Sequence, residues 1–300
     1  MKYSSKIITG AIAFGLLAGT VFQGTGYVGT KFAQMQAEDS GDDTQAKLAA
    51  TSVVKDTNAS GGTDVSQIVD QVIPSLVSID VTAKVVTHGF FGPQESESSG
   101  SGSGILIADK DNKLYIATNN HVVENADNVT IRFCDDTAAQ AKVKGTDEVN
   151  DLAVVEVDKE KLSEDTLQKI KVASIGDSSQ TKVGEQAIAI GNALGYGTSV
   201  TVGYISARDR EIDTGDGGGS VKLFQTDAAI NPGNSGGALV NSRGEVIGIN
   251  SSKFASEEIE GMGFAIPMET AEPILTELMN KEGTEKESSN NKLPGFPEGM

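Results

Sequence analysis

Apolar positions in this chain seldom keep a helical spacing. They fall in short runs, many alternating with polar residues, and glycine, asparagine, aspartate or serine closes most of them. This pattern predicts strands at Gly104–Ala108, Leu114–Thr118, Val129–Arg132, Gln140–Thr146, Leu152–Glu156 and Gln186–Gly191. It predicts more at Ser199–Ala207, Leu223–Thr226, Ala238–Val240, Val246–Ser251 and Gly263–Pro267, with another opening at Leu76. Long helical patterns do not alternate with these runs, which disfavours a doubly wound parallel sheet. Many short strands with frequent glycine turns predict two antiparallel barrels or sandwiches.

Helical spacing occurs in two places within the ordered region. Val65, Ile68, Val69, Val72 and Ile73 form one stripe, which Pro74 should stop. Ala271, Ile274, Leu275, Leu278 and Met279 form the other. Thr270 is the expected cap, and Pro273 then falls in the first turn, where a missing N–H costs little.

The ends differ from the middle. Ile7 to Thr30 carries no charge and follows Lys2 and Lys6. A bilayer core needs about 20 apolar residues as a helix, and flanking lysines hold their side in the cytoplasm. Residues 1–31 are therefore expected to be a cytoplasmic N-terminus and signal anchor, with a cleaved signal peptide as the alternative. Residues 32–63 read as a polar linker and 281–300 as a charged tail without a core. Two halves lie between, 64–165 and 166–280, with a polar seam at Asp158 to Lys171.

Composition narrows the function. The chain has 42 acidic and 24 basic residues, a net charge of −18. Nucleic-acid binders need a basic footprint, so no nucleic-acid partner is expected. One cysteine, Cys134, excludes an intrachain disulfide framework, and two histidines with that cysteine are too few for an ordinary zinc site. Neither metal nor cofactor is expected.

The remaining chemistry points to a nucleophilic serine. Ser235 stands in the string QTDAAINPGNSGG, between glycines that permit a sharp turn and free the N–H groups of Gly233 and Ser235 for a developing oxyanion. The spacing alone also fits a glycine turn between strands. A serine needs a base, and only His88 and His121 exist. His88 precedes GFFGPQESESSGSGSG, which reads as an exposed loop, whereas His121 follows an apolar strand. Asp151 opens the apolar string DLAVVEV and can orient the histidine; Asp147 and Asp227 compete on chemistry alone. Cys134, beside Asp135 and Asp136, reads as a spectator. No histidine follows Ser235, which excludes the α/β-hydrolase order. The order His121, Asp151, Ser235 is that of chymotrypsin.

The strings SGSGILI, ATNNHVV, NDLAVVEV, AIAIGNALG, SVTVGYISARDRE, QTDAAINPGNSGGALVNSRGEVIGIN and GMGFAIP together resemble the protease domain of the HtrA (Deg-type) serine proteases, over roughly Val65 to Met279. The resemblance implies an all-β chymotrypsin-like fold of two antiparallel six-stranded barrels with a C-terminal helix. It implies His121, Asp151 and Ser235 as a catalytic triad and Gly233, Ser235 and Asn234 as oxyanion donors. Ala229, Ile230 and Asn250 would line the pocket for the side chain preceding the cut. Alanine at 229 cannot pair with a basic side chain, so small or medium aliphatic residues are expected there. The implied activity is serine endopeptidase cleavage of unfolded or damaged exported polypeptides, outside the cell membrane, by a homotrimer. Family members usually continue into PDZ domains, and only 21 residues follow Met279 here. A holding protein that binds unfolded chains without cutting them is the alternative reading.

Overall fold

The computed structural model describes residues 64–89, 92–192, 197–213, 219–254 and 261–281. The expected anchor at 1–31, the linker at 32–63 and the tail beyond Lys281 lie outside the described residues. Among the described residues no helix is long and apolar enough to cross a membrane.

Among the described residues twelve strands close into two antiparallel barrels of six. The first holds β1 (Leu76–Gly89), β2 (Gly92–Lys110), β3 (Lys113–Thr118), β4 (Asn128–Arg132), β5 (Ala138–Asp147) and β6 (Leu152–Asp158), in the order β1-β2-β3-β6-β5-β4. The second holds β7 (Gln186–Asn192), β8 (Thr198–Asp213), β9 (Ser220–Thr226), β10 (Ala238–Val240), β11 (Val246–Asn250) and β12 (Gly263–Pro267), in the order β10-β11-β12-β9-β8-β7. Among the described residues four α-helices accompany them: α1 (Val65–Val72), α2 (Asn120–Val123), α3 (Glu164–Lys169) and α4 (Met268–Asn280).

Strand periodicity explains the near-continuous apolar runs. In β6, Ala153, Val155 and Val157 fill the first barrel, while Leu152 and Val154 face outward into a second apolar layer. In β7, Ala187 and Ala189 fill the second barrel, while Ile188 and Ile190 join that same layer. Alternate side chains of one strand thus enter two different cores. The shared layer also takes Ile68 and Val72 of α1 and Met268, Ala271, Leu275 and Leu278 of α4. It bonds barrel to barrel through apolar burial, at roughly 1.5–3 kcal/mol for each large aliphatic side chain.

Two local expectations change. The serine- and glycine-rich run before Gly104 is strand, not loop: β2 pairs with β1 in unbroken register from Leu76↔Ile105 to Gly89↔Gly92. His88 therefore lies on β1, opposite Pro93. Helix α4 begins at Met268, so Thr270 is not its cap and Pro273 lies inside it. One free N–H of its first turn is satisfied from a distance, by Ser178 Oγ accepting from the Glu269 N–H at 2.8 Å.

Candidate active site

β3 ends at Thr118, and the chain turns through Asn119 into α2, which carries His121. Asp151 sits just before β6, in the left-handed region at φ 54°. The turn leading to it is tied by Asp147, whose carboxylate accepts from the Asn150 N–H (2.9 Å) and side-chain amide (3.1 Å). Asp147 is thus spent on the turn. Asp227 is spent similarly, accepting from the Tyr204 N–H at 2.6 Å.

Asp151 is fully buried, and its charge is met on several sides. His121 Nδ1 lies 2.9 and 2.8 Å from its two oxygens. The His121 N–H donates to Oδ1 at 3.1 Å, so the carboxylate also caps the short helix. Ser251 Oγ donates to Oδ2 at 2.8 Å, and the Asn119 side-chain amide donates to the Asp151 carbonyl at 2.9 Å. A carboxylate accepts only, so Nδ1 carries the imidazole proton and Nε2 is left to accept one. The ring is partly exposed, with its acid behind it.

Ser235 lies in the turn before β10, with Gly233 at φ 107° and Gly236 at φ 80° on either side. A side chain at Gly236 would run into the Ser103 carbonyl and the Thr118 hydroxyl, so glycine is required there for close approach as well as for its dihedral. The first barrel grips this turn from both sides of the serine. The Ser103 N–H donates to the Ser235 carbonyl at 2.8 Å, and Ser103 Oγ donates to the Gly233 carbonyl at 2.6 Å. Thr118 Oγ1 in turn donates to the Ser103 carbonyl at 2.7 Å.

Among the described residues the N–H groups of Gly233 and Ser235 have no acceptor in the protein. The Asn234 N–H differs: it donates to the Asn231 carbonyl at 3.0 Å, which removes it from the expected donor set. The Ser235 hydroxyl is bonded to Ser252, with Oγ to Oγ at 2.6 Å and Ser252 N–H to Oγ at 3.0 Å. No hydrogen bond joins it to His121 among the described residues.

The three expected pocket residues separate. Ala229 is exposed, and its carbonyl accepts from Thr201 Oγ1 at 2.7 Å and from the Asn234 amide at 3.3 Å. Ile230 is turned into the second barrel's core with Phe224 and Leu239. Asn250 is fully buried; its side-chain amide donates to the Ala238 carbonyl at 2.9 Å, and Oδ1 has no partner among the described residues. A cavity of about 570 Å³ lies elsewhere, on the first barrel beside α2 and β5, and does not include His121, Asp151 or Ser235.

Ser103, Asn119, Ser251 and Ser252 contact the site without standing out in the sequence. Only Ser251 and Ser252 left a trace: two adjacent serines directly after an apolar strand, at the end that meets the Ser235 turn. Cys134 stays apart from the site. It is exposed overall, but partial burial of its thiol and the Asp135 carboxylate push its pKa up, which disfavours the reactive thiolate. Among the described residues no group of three or more His, Cys, Asp or Glu side chains is placed to hold a metal ion.

Comparison with known proteins adds to this geometry. Residues 102–249 match the trypsin-like peptidase domain. The chain is 42% identical over 226 residues to serine protease Do-like HtrA of Bacillus subtilis (strain 168), covering 72% of this chain and 49% of that protein. It is 35% identical over 327 residues to serine protease Do-like HtrA of Lactobacillus helveticus, covering 99% of this chain and 76% of that protein. Among solved structures, a variant of the HtrA-type protease AlgW with a decapeptide is similar at a TM-score of 0.61 and 32% identity, over 72% of this chain and 67% of that one. The chain spans about half the length of the Bacillus relative it matches.

Proposed function

We propose that this chain, which belongs to the HtrA serine protease family, is a serine endopeptidase that cleaves unfolded or damaged exported polypeptides through an acyl-enzyme. The observation that carries the reading is the buried Asp151 bonded to His121 Nδ1, beside a glycine turn that presents Ser235 and two unused N–H groups.

In this reading Ser235 Oγ attacks the scissile carbonyl while His121 Nε2 takes its proton. The oxyanion is met by the Gly233 and Ser235 N–H groups, donors that need no reorganisation as charge develops. His121 then passes the proton to the leaving amine, and a water repeats the sequence on the acyl-enzyme. Asp151 keeps the ring in the tautomer that leaves Nε2 open and stabilises the imidazolium. The exposed Ala229 offers no carboxylate to a basic side chain. An unpaired guanidinium would cost several kcal/mol to bury, so aliphatic residues before the cut are favoured.

The catalytic part works outside the cell membrane, held by the uncharged stretch after Lys6 as a single-pass anchor. The homotrimer rests on the resemblance alone. The test of activity is digestion of unfolded casein by the wild-type chain and by Ser235→Ala, His121→Ala and the double variant. Each single variant should lose nearly all cleavage, and the double should be no worse, because the groups act as a unit. Undiminished cleavage by His121→Ala would defeat the assignment. A holding protein would show no cleavage in any of them and would bind casein equally well with Ser235→Ala.

A further inference from the structure

We propose that Ser252 is a positioning residue that holds the Ser235 hydroxyl in a resting place away from His121. The proposal rests on Ser235 being the nucleophile.

The Ser235 hydroxyl has one proton to give and two lone pairs. One lone pair already accepts the Ser252 N–H at 3.0 Å. The 2.6 Å contact with Ser252 Oγ can run either way. If Ser235 donates, its proton is directed at another serine and not at the base. If Ser252 donates, both lone pairs of Ser235 are engaged, and none is free to attack. Either arrangement silences the oxygen. Attack requires the hydroxyl to leave both Ser252 contacts and turn to His121 Nε2.

The placement follows from strand alternation. The Ser251 N–H donates to the Phe264 carbonyl at 3.0 Å, extending the β11–β12 ladder by one residue. Successive side chains there point opposite ways. Ser251 reaches Asp151, at 2.8 Å, and Ser252 reaches Ser235. One chain segment thus supports the acid with one hydroxyl and restrains the nucleophile with the next. Because side-chain rotation is fast, the restraint acts as a population: the observed rate is the intrinsic rate times the fraction of Ser235 turned toward His121.

Removing the Ser252 hydroxyl deletes one neutral hydrogen bond and leaves the N–H contact. The turned fraction should rise about 3- to 10-fold. The experiment measures the second-order rate of labelling at Ser235 by a serine-directed phosphonate, with kcat and KM on a peptide, for the full chain. Ser252→Ala should label about 3- to 10-fold faster with kcat raised and KM little changed. Ser252→Thr, which keeps a hydroxyl, should bring the rate back toward the wild type. A disturbance of structure alone would slow labelling, not speed it. Equal or slower labelling in folded Ser252→Ala overturns the proposal while leaving the nucleophile assignment intact. Absence of labelling at Ser235 in the folded wild type overturns both. Should Ser252→Ala not fold, exchange of the Ser252 amide proton decides: it should quicken in Ser235→Ala, and unchanged protection there overturns the proposal.

Discussion

Ser251 and Ser252 are neighbours of the same type with opposite work, and the contrast yields a prediction at the scale of single residues. Ser251 is fully buried and gives its proton to a carboxylate, an interaction that holds about 1.5–3 kcal/mol when the acceptor is charged. Its loss lets the Asp151–His121 pair drift. Ser251→Ala should therefore lower kcat by about tenfold or more with little change in KM, the reverse of Ser252→Ala. Steady-state kinetics on one peptide substrate compares the two. Asp151 adds a backbone constraint: at φ 54° it occupies a region that aspartate tolerates better than most residues.

At the scale of elements, helix α3 is fastened to the turn after β4 through Asp135. That carboxylate accepts from the Thr137 N–H at 3.1 Å and from Thr166 Oγ1 at 3.0 Å, with Lys169 at 3.4 Å. Burial opposes its charge, but these donors outweigh burial and hold its pKa below the ordinary 3.8. The folded state thus binds fewer protons than the unfolded one in this range, and stability rises with pH there. The contribution is full above 3.8 and falls away as pH drops below that value toward the lower folded one. Asp135→Asn should lower the urea midpoint at pH 6, and its gap from the wild type should narrow by pH 3. A gap unchanged with pH would show that the carboxylate charge is not what fastens α3. The β1–β2 hairpin shows pairing overriding composition: serine and glycine have weak strand preference, yet fourteen consecutive residue pairs carry them into the sheet.

At the scale of the whole molecule, the site is divided between barrels. The first supplies His121 and Asp151, and the second supplies Ser235, Ser251 and Ser252. Ser103 of the first barrel is a tie, since it holds the Gly233 and Ser235 carbonyls. Ser103→Ala leaves the Gly233 carbonyl without that donor, at about 1–3 kcal/mol. The thermal midpoint should fall by about 2–4 °C for each kcal/mol lost, and kcat should fall with it as the turn loosens. An unchanged midpoint by calorimetry would mean that the barrels are held in place without this bond.

The sequence by itself determined most of the strands, because period-two runs bounded by turn residues leave few other folds for them, but not the serine- and glycine-rich half of β2, which carries no such pattern. It also narrowed the candidate histidine and serine, because two histidines and the chain order left little choice, while chemistry alone did not choose between Asp147, Asp151 and Asp227. Where a signal lies in local spacing or in scarcity, one dimension is enough. The start of α4 was not legible, because its first turn is satisfied by Ser178, about 90 residues away in sequence. Nor was the fate of Ile230, whose apolar side chain suits a pocket wall or a barrel core equally well. Ser103, Ser251 and Ser252 look like any other serines until the barrels meet. Only the tertiary structure decided which hydroxyl bonds Asp151, which bonds Ser235 and which ties the two barrels, because a hydrogen bond depends on distance and direction between atoms that the chain order leaves far apart.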